Sequence, residues 1–343
     1  MARLLRLAAI ALLGAACQPA PTPRQRELHD GMAEAPPPVD NPRELGWVHW
    51  ERDYETAAAL AAKTGRPLFV LFQEVPGCST CVGFGETVLS HPLLIEAIET
   101  AFVPVAIFNN RGGRDGATLQ RFGEPAWNNP VVRFVDAEGR DLIPRADNLW
   151  STGGIARRMV AALTAADQPI PAHLSWVVEE TAEQSASSTF QMSCFWQGEV
   201  CFGGLDGVLD THAGHLDGRE VVEVEYDPHT ISADELQAAS RRQGCGALVA
   251  RPRPARPADD SDQKIHLARS RYRYLPLTPL QATRVNAALG KGSNPRRWLS
   301  PRQIALYDRI ASADAARLDG LERPESTGAL ASYSHRLTLR LAP

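Results

Sequence analysis

The 343-residue sequence lacks an excess of charge of either sign. Its 36 Lys and Arg face 40 Asp and Glu, a formal net charge of -4. That balance gives no reason to expect a nucleic acid as a partner, since phosphate backbones are held by clustered basic groups. Beyond the N-terminus there is no apolar run approaching the roughly 20 residues a bilayer-spanning helix needs. No internal repeat is visible. Cysteine is scarce, six in all. Only Cys78 and Cys81 stand as a CxxC, with no second pair to complete a zinc site of the usual four-ligand kind.

What is present begins with a leader. Arg3 and Arg6 accompany the apolar run Leu7 to Leu13, and Gly14, Ala15 and Ala16 precede Cys17. A charged start, a short apolar stretch and small residues predict an export signal over residues 1–17. Cys17 after small residues resembles a bacterial lipoprotein cleavage box, which implies lipidation there. A plain secretory signal with an incidental cysteine is the other reading. Either places the mature protein outside the cytoplasm, periplasmic or lipid-anchored to a membrane. Residues 18–46 are rich in Pro and Ala and read as a linker.

Composition and periodicity then divide the chain into α/β (α+β) units. A first domain is expected over 47–168. Its helix over Asp53 to Thr64 ends at Gly65, and buried strands follow at 67–72, 102–108 and 131–135. A Pro- and Ser-containing stretch, 169–187, reads as a linker. A second α/β unit occupies 188–250, and the Pro-rich segment 251–262 reads as another linker. Residues 263–343 form a mostly helical tail, with helices near 279–289 and 301–315, expected to cover the second domain. Trp47 and Trp298 are expected as core anchors, and Arg269, Arg271 and Arg273 as a solvated face.

Two segments carry chemistry. In Val75-Pro76-Gly77-Cys78-Ser79-Thr80-Cys81 the cysteines follow an apolar strand and open a helix. One turn of helix brings such a pair within bridging distance. The helix N-terminus favours a thiolate, so Cys78 is the expected nucleophile and Cys81 the resolving thiol. A structural disulfide or part of a zinc site are the competing readings. The strand, CxxC and helix, with Asn129-Pro130 before a later strand, resemble the thioredoxin fold over residues 47–166. The resemblance implies that Pro130 is cis and faces the cysteines to hold substrate backbone. The motif also resembles a group of bacterial thioredoxin-like proteins in which selenocysteine often takes the place of Cys78.

The second segment is Thr189-Phe190-Gln191-Met192-Ser193-Cys194-Phe195-Trp196-Gln197-Gly198-Glu199, followed by Gly214-His215-Leu216-Asp217-Gly218 and Val221-Val222-Glu223-Val224-Glu225-Tyr226-Asp227-Pro228. Over roughly 188–240 it resembles the A-type peptide-methionine sulfoxide reductases, which have a ferredoxin-type α/β domain. The resemblance implies that Cys194 attacks a sulfoxide sulfur, and that Glu199, kept protonated by burial, donates to the departing oxygen. Phe195 and Trp196 would floor the pocket for the S-methyl group. Cys194 would become a sulfenic acid that a second thiol must resolve. Cys201 lies about 10.5 Å further along the same helix, beyond disulfide reach of Cys194. Cys245, in a Gly-flanked segment, is therefore the expected resolving thiol, and Cys201 a small buried apolar residue. The chain departs from the family pattern where His215 replaces a tyrosine. It also lacks an insert and a later segment that carry a second tyrosine and an aspartate. Tyr272 or Tyr274 are candidates to substitute.

Together these features predict a thiol-dependent oxidoreductase that reduces oxidised methionine, free or in exported proteins. Electrons would pass through Cys78 and Cys81 from a membrane or periplasmic thiol donor, with no cofactor and no metal. Two further readings remain at this level. One is a thiol-disulfide oxidoreductase or thiol peroxidase centred on Cys78, with the second domain altered. The other is a binding module in which Cys194, Cys201 and Cys245 join His212 or His215 around zinc or a client.

Overall fold

The computed structural model describes residues 39–250, 253–324 and 326–341. The leader, Cys17 and most of the expected 18–46 linker lie outside the described residues. The first domain starts earlier than expected. A 3-10 turn at Arg43–Leu45 buries Glu44 and Leu45 ahead of Trp47.

Helix α1, Tyr54–Thr64, begins where the Asp53 side chain accepts from the Thr56 N–H at 2.9 Å and ends at Gly65 in the left-handed region. Both ends thus satisfy backbone groups that a bare helix leaves open. The central strand β1, Leu68–Gln73, is buried at every position. It pairs in parallel with β2, Val103–Phe108, and antiparallel with β3, Val131–Val135. Single bridges at Glu51 and Asp141 extend the two edges. Phe69 and Leu71 join one apolar cluster; Leu68, Val70 and Phe72 join another on the opposite face. A sheet covered on both faces explains why β1 reads as an unbroken apolar run. Helices α2 (Ser79–Thr87), α3 (Pro92–Ala101), α4 (Arg114–Phe122) and α5 (Thr152–Ala165) complete the layers.

The expected linker at 169–187 is corrected. It contains α6, Ala172–Glu180, whose Leu174 and Val177 are fully buried against the first domain's core. Pro171 caps this helix, so the prolines mark a helix start rather than a loose connection.

The second sheet is antiparallel throughout, in the order β7-β4-β6-β5-β8. Its strands are β4 (Ala186–Gln191), β5 (Val208–Leu216), β6 (Arg219–Tyr226), β7 (Ala247–Leu248) and β8 (Arg256–Pro257). Asp217 and Gly218, both at positive φ, close the β5–β6 hairpin, the turn that suits strand twist. Helices α7 (Phe195–Phe202) and α8 (Ala233–Gln243) pack on this sheet. The 251–262 linker is corrected in part, because β8 pairs with β5 at Gly214 and His215.

The tail holds α9 (Ile265–Ala268), α10 (Pro279–Gly290), α11 (Pro301–Ser312), α12 (Ala315–Leu318) and α13 (Thr327–Arg340). Thr278 with Gln281, and Ser300 with Gln303, form reciprocal caps at α10 and α11. The tail does more than cover the second domain. Arg302 on α11 pairs with Glu99 on α3 at 2.5 Å. Arg284 on α10, 1% exposed, pairs with Glu179 on α6 and donates to the Leu205 carbonyl. Trp298 meets Trp176 with ring centroids 6.0 Å apart, and Trp47 packs on the first core, so both are anchors as expected. Among the described residues no single helix is long and apolar enough to cross a membrane.

Candidate active sites

The first site is built at the end of β1. Cys78 is the N-cap of α2 and exposed, whereas Cys81 is fully buried one turn on. Their sulfurs lie 3.6 Å apart, as free thiols. The loop between strand and helix is pinned. Gln73 Nε2 donates to the carbonyls of Glu44 (2.7 Å) and Cys81 (3.2 Å). Glu44 Oε1 accepts from the Gly77 N–H at 2.8 Å. A side chain at Gly77 would stand 2.3 Å from the Glu74 carbonyl and 2.7 Å from Cys81 Cβ, so only glycine fits there. Cys81 Sγ donates to Asn129 Oδ1 at 2.8 Å. The Asn129-Pro130 bond is cis, as is Val75-Pro76. Trp150 Nε1 donates to the Pro130 carbonyl, and Trp127, three residues before Pro130, is 81% exposed.

The two thiols are held apart in acidity. The Cys81 N–H directed at Cys78 holds that thiol below its ordinary value, with further help from the Cys81 thiol and Thr80. Burial pushes Cys81 up to about 11. An exposed, more acidic sulfur over a buried, protonated one is the arrangement a dithiol exchange reaction requires.

The second site lies at the start of α7. Cys194 is its half-buried N-cap, carrying a free thiol. The next N–H, of Phe195, donates to Glu220 Oε2 at 2.8 Å, and the Met192 N–H donates to the Glu220 carbonyl. Glu220 on β6 thus brackets Cys194 from both sides. His215 is its cross-strand neighbour on β5 and meets the Phe195 ring edge-on at 5.6 Å. Trp196 lies 5.8 Å from Phe195, with the exposed Arg269 guanidinium over it at 5.8 Å. His215 Nδ1 and Trp196 Nε1 are buried without a hydrogen-bond partner. The structure therefore brings Cys194, Phe195, Trp196 and His215 together, and adds Glu220 and Arg269. Arg269 had been expected only on a solvated face.

Glu199 is fully buried on the same helix. Five residues turn it about 140° around the axis from Cys194, so the expectation that it stands at that sulfur is corrected: Glu220 is the carboxyl there. Its two oxygens accept from the Lys264 N–H at 3.2 and 3.0 Å. Lys264 has a φ of 47° and sends Nζ to Asp210 Oδ1 at 2.9 Å. Burial raises Glu199 to about 7, against the Lys264 charge and N–H and with some help from Asp210. At Asp210 burial acts in the same direction, but Lys264, His212 and Thr283 outweigh it and hold the carboxyl below its ordinary value. One lysine between two carboxyls leaves Asp210 charged and Glu199 able to keep a proton near neutrality. Neither Lys264 nor Asp210 stood out in the sequence, because each acts across a long chain separation. Glu220 did not stand out in the sequence either.

Two further expectations are corrected. Cys245 is not a free resolving thiol. It is disulfide-bonded to Cys201, with Cα atoms 6.4 Å apart. The turn after α8, with Gly244 at positive φ, returns Cys245 onto the inner face of α7. Cys201 is buried as expected, but as a bonded partner. Neither tyrosine proposed as a substitute lines the site. Tyr272 stacks on Tyr307 at 3.9 Å within the tail core, and Tyr274 packs against the same cluster.

The thioredoxin-like family model matches residues 49–137. A further stretch is similar to peptide methionine sulfoxide reductases. It is 38% identical over 76 residues to the MsrA of Geobacter metallireducens, covering 17% of this chain and 46% of that protein. It is 36% identical over 72 residues to the enzyme of Drosophila melanogaster, covering 17% of this chain and 29% of that one. With the MsrA of Thermoactinomyces vulgaris it shares 36% over 66 residues, 14% of this chain and 54% of that one. The chain thus spans about half or less of the length of these curated relatives, and it joins a thioredoxin-like domain to an MsrA-like one.

Proposed function

We propose that this chain is a thiol-dependent oxidoreductase that reduces methionine-S-sulfoxide at Cys194 and draws its electrons from the Cys78/Cys81 pair. The observation that carries this reading is a half-exposed cysteine opening a helix, followed by Phe195 and Trp196, whose rings meet edge-on, in a chain part of which is similar to MsrA proteins. The Cys194 sulfur attacks the sulfoxide sulfur, and the oxygen passes to Cys194. The sulfoxide gains two electrons and leaves as thioether; Cys194 loses two and becomes a sulfenic acid. Starting from the Cys194 thiol the transfer consumes no net proton, and Glu220, the carboxylate that accepts from the Phe195 N–H beside Cys194, is placed to pass the proton from sulfur to oxygen.

Because Cys245 is bonded to Cys201, a different thiol resolves the sulfenic acid. Cys78 condenses with it, water leaves, and Cys81 then displaces Cys194 to close a Cys78–Cys81 disulfide. An external thiol donor restores that pair. In this reading the cycle runs outside the cytoplasm, in the periplasm or on a lipid anchor at Cys17, as the leader-like residues 1–17 lead one to expect.

Turnover of dabsyl methionine-S-sulfoxide tests the reading. Cys194→Ser should abolish it with any reductant. Cys78→Ser should abolish it with a protein thiol donor but spare it with a small dithiol. Unchanged turnover in Cys194→Ser would sink the proposal.

A second reading is favoured by the acidity split at the first site: Cys78 acts as a general thiol-disulfide oxidoreductase on other proteins. Disulfide reduction by Cys194→Ser at the wild-type rate, with no sulfoxide turnover by the wild type, would select it.

A further inference from the structure

The redox pair has a third neighbour that electron transfer does not use. A carboxylate oxygen of half-buried Glu74 and the sulfurs of Cys78 and Cys81 all lie within 4.8 Å of one another. The two sulfurs are 3.6 Å apart. Two thiolates on a tetrahedral zinc, each at about 2.3 Å, sit about 3.8 Å from each other. The pair therefore needs almost no movement to share an ion, and Glu74 needs one side-chain adjustment. The backbone that carries all three is already fixed by Gln73 and Glu44. Cys78 is exposed, which gives an ion a way in.

We propose that the reduced Cys78/Cys81 pair and Glu74 form a binding site for one thiophilic divalent cation of the zinc type, with water in the fourth position. Two sulfurs and one carboxylate favour such an ion over magnesium or calcium, which take oxygen ligands only. Counting cysteines in the sequence argued against zinc, but a third ligand stands four residues before Cys78 and is not a cysteine. Binding exchanges thiol protons for the metal and moves no electrons. Cys81 gives up its hydrogen bond to Asn129. With both sulfurs committed to the ion, the pair cannot close its disulfide, so the metal holds it reduced and idle. This inference does not depend on methionine sulfoxide being the substrate of the second site.

The test uses the reduced full-length protein and zinc titrated against a chromophoric chelator. Wild type should take up one equivalent that Cys78→Ser loses, although Cys194, Cys201 and Cys245 are unchanged in that variant. Glu74→Gln should bind about tenfold or more weakly with an unchanged thiol count, the scale on which a metal site responds to loss of a supporting group. Cobalt(II) should give a thiolate-to-metal charge-transfer band in wild type and none in Cys78→Ser. Thermal melts check that the variants fold. No zinc uptake by wild type at micromolar concentration, or equal uptake by Cys78→Ser, overturns the proposal. Equal affinity in Glu74→Gln overturns the assignment of Glu74.

Discussion

At the scale of single residues, the two carboxyls around Lys264 divide one charge between them. Glu199 is buried and raised to about 7, so the native state holds a proton that the unfolded chain has already released. Stability contributed by this group is thus fully present at low pH and falls as pH rises from the ordinary carboxyl range to about 7. The loss is on the order of 3 kcal/mol. Glu199→Gln should remove that decline, so that urea unfolding shows the variant gaining on wild type between pH 5 and pH 8. At the other site, exposed Cys78 should react with iodoacetamide well before buried Cys81, which peptide mapping after brief alkylation would read. The identities of Cys78, Cys81, Cys194 and Glu199 were legible because local motifs carry them. Lys264, Asp210 and Glu220 were not, because their contacts cross long chain separations, 65 residues for the Lys264 N–H to Glu199 and 25 for the Phe195 N–H to Glu220, and leave no local pattern.

At the scale of elements, the helix and strand types were largely readable where apolar spacing was strong. Strand β1 and helices α10 and α11 fall close to where periodicity and caps put them. The two misread linkers have separate physical reasons. Prolines and serines mark both loose chain and well-made helix starts, and Pro171 serves the second purpose at α6. Strand β8 is two residues long, too short to show alternation, and exists only because the edge of β5 is there to pair with it. Close packing of α7 on β6 gives a prediction at this scale. An added methyl at Gly198 would meet Val222 Cγ2 at 2.6 Å and Met192 Cε at 2.7 Å. Gly198→Ala should cost about 1–3 kcal/mol, measured by denaturant unfolding, as overpacked cores do.

At the scale of the whole molecule, the helical tail joins the two α/β domains through buried cations. Arg284 reaches α6 of the first domain and Leu205 of the second from one position. Removing one partner of a buried pair costs about 3–5 kcal/mol. Arg284→Ala should therefore lower the melting temperature and separate one cooperative transition into two by calorimetry. None of this was visible in the sequence, where an arginine in a helix reads as surface.

The bond between Cys201 and Cys245 closes a covalent ring across a sequence separation of 44, enclosing β5, β6 and α8. A protease that nicks the hairpin tip at Asp217-Gly218 would leave two fragments still fastened together. They would run as one band on a gel until a reductant was added, and only then part.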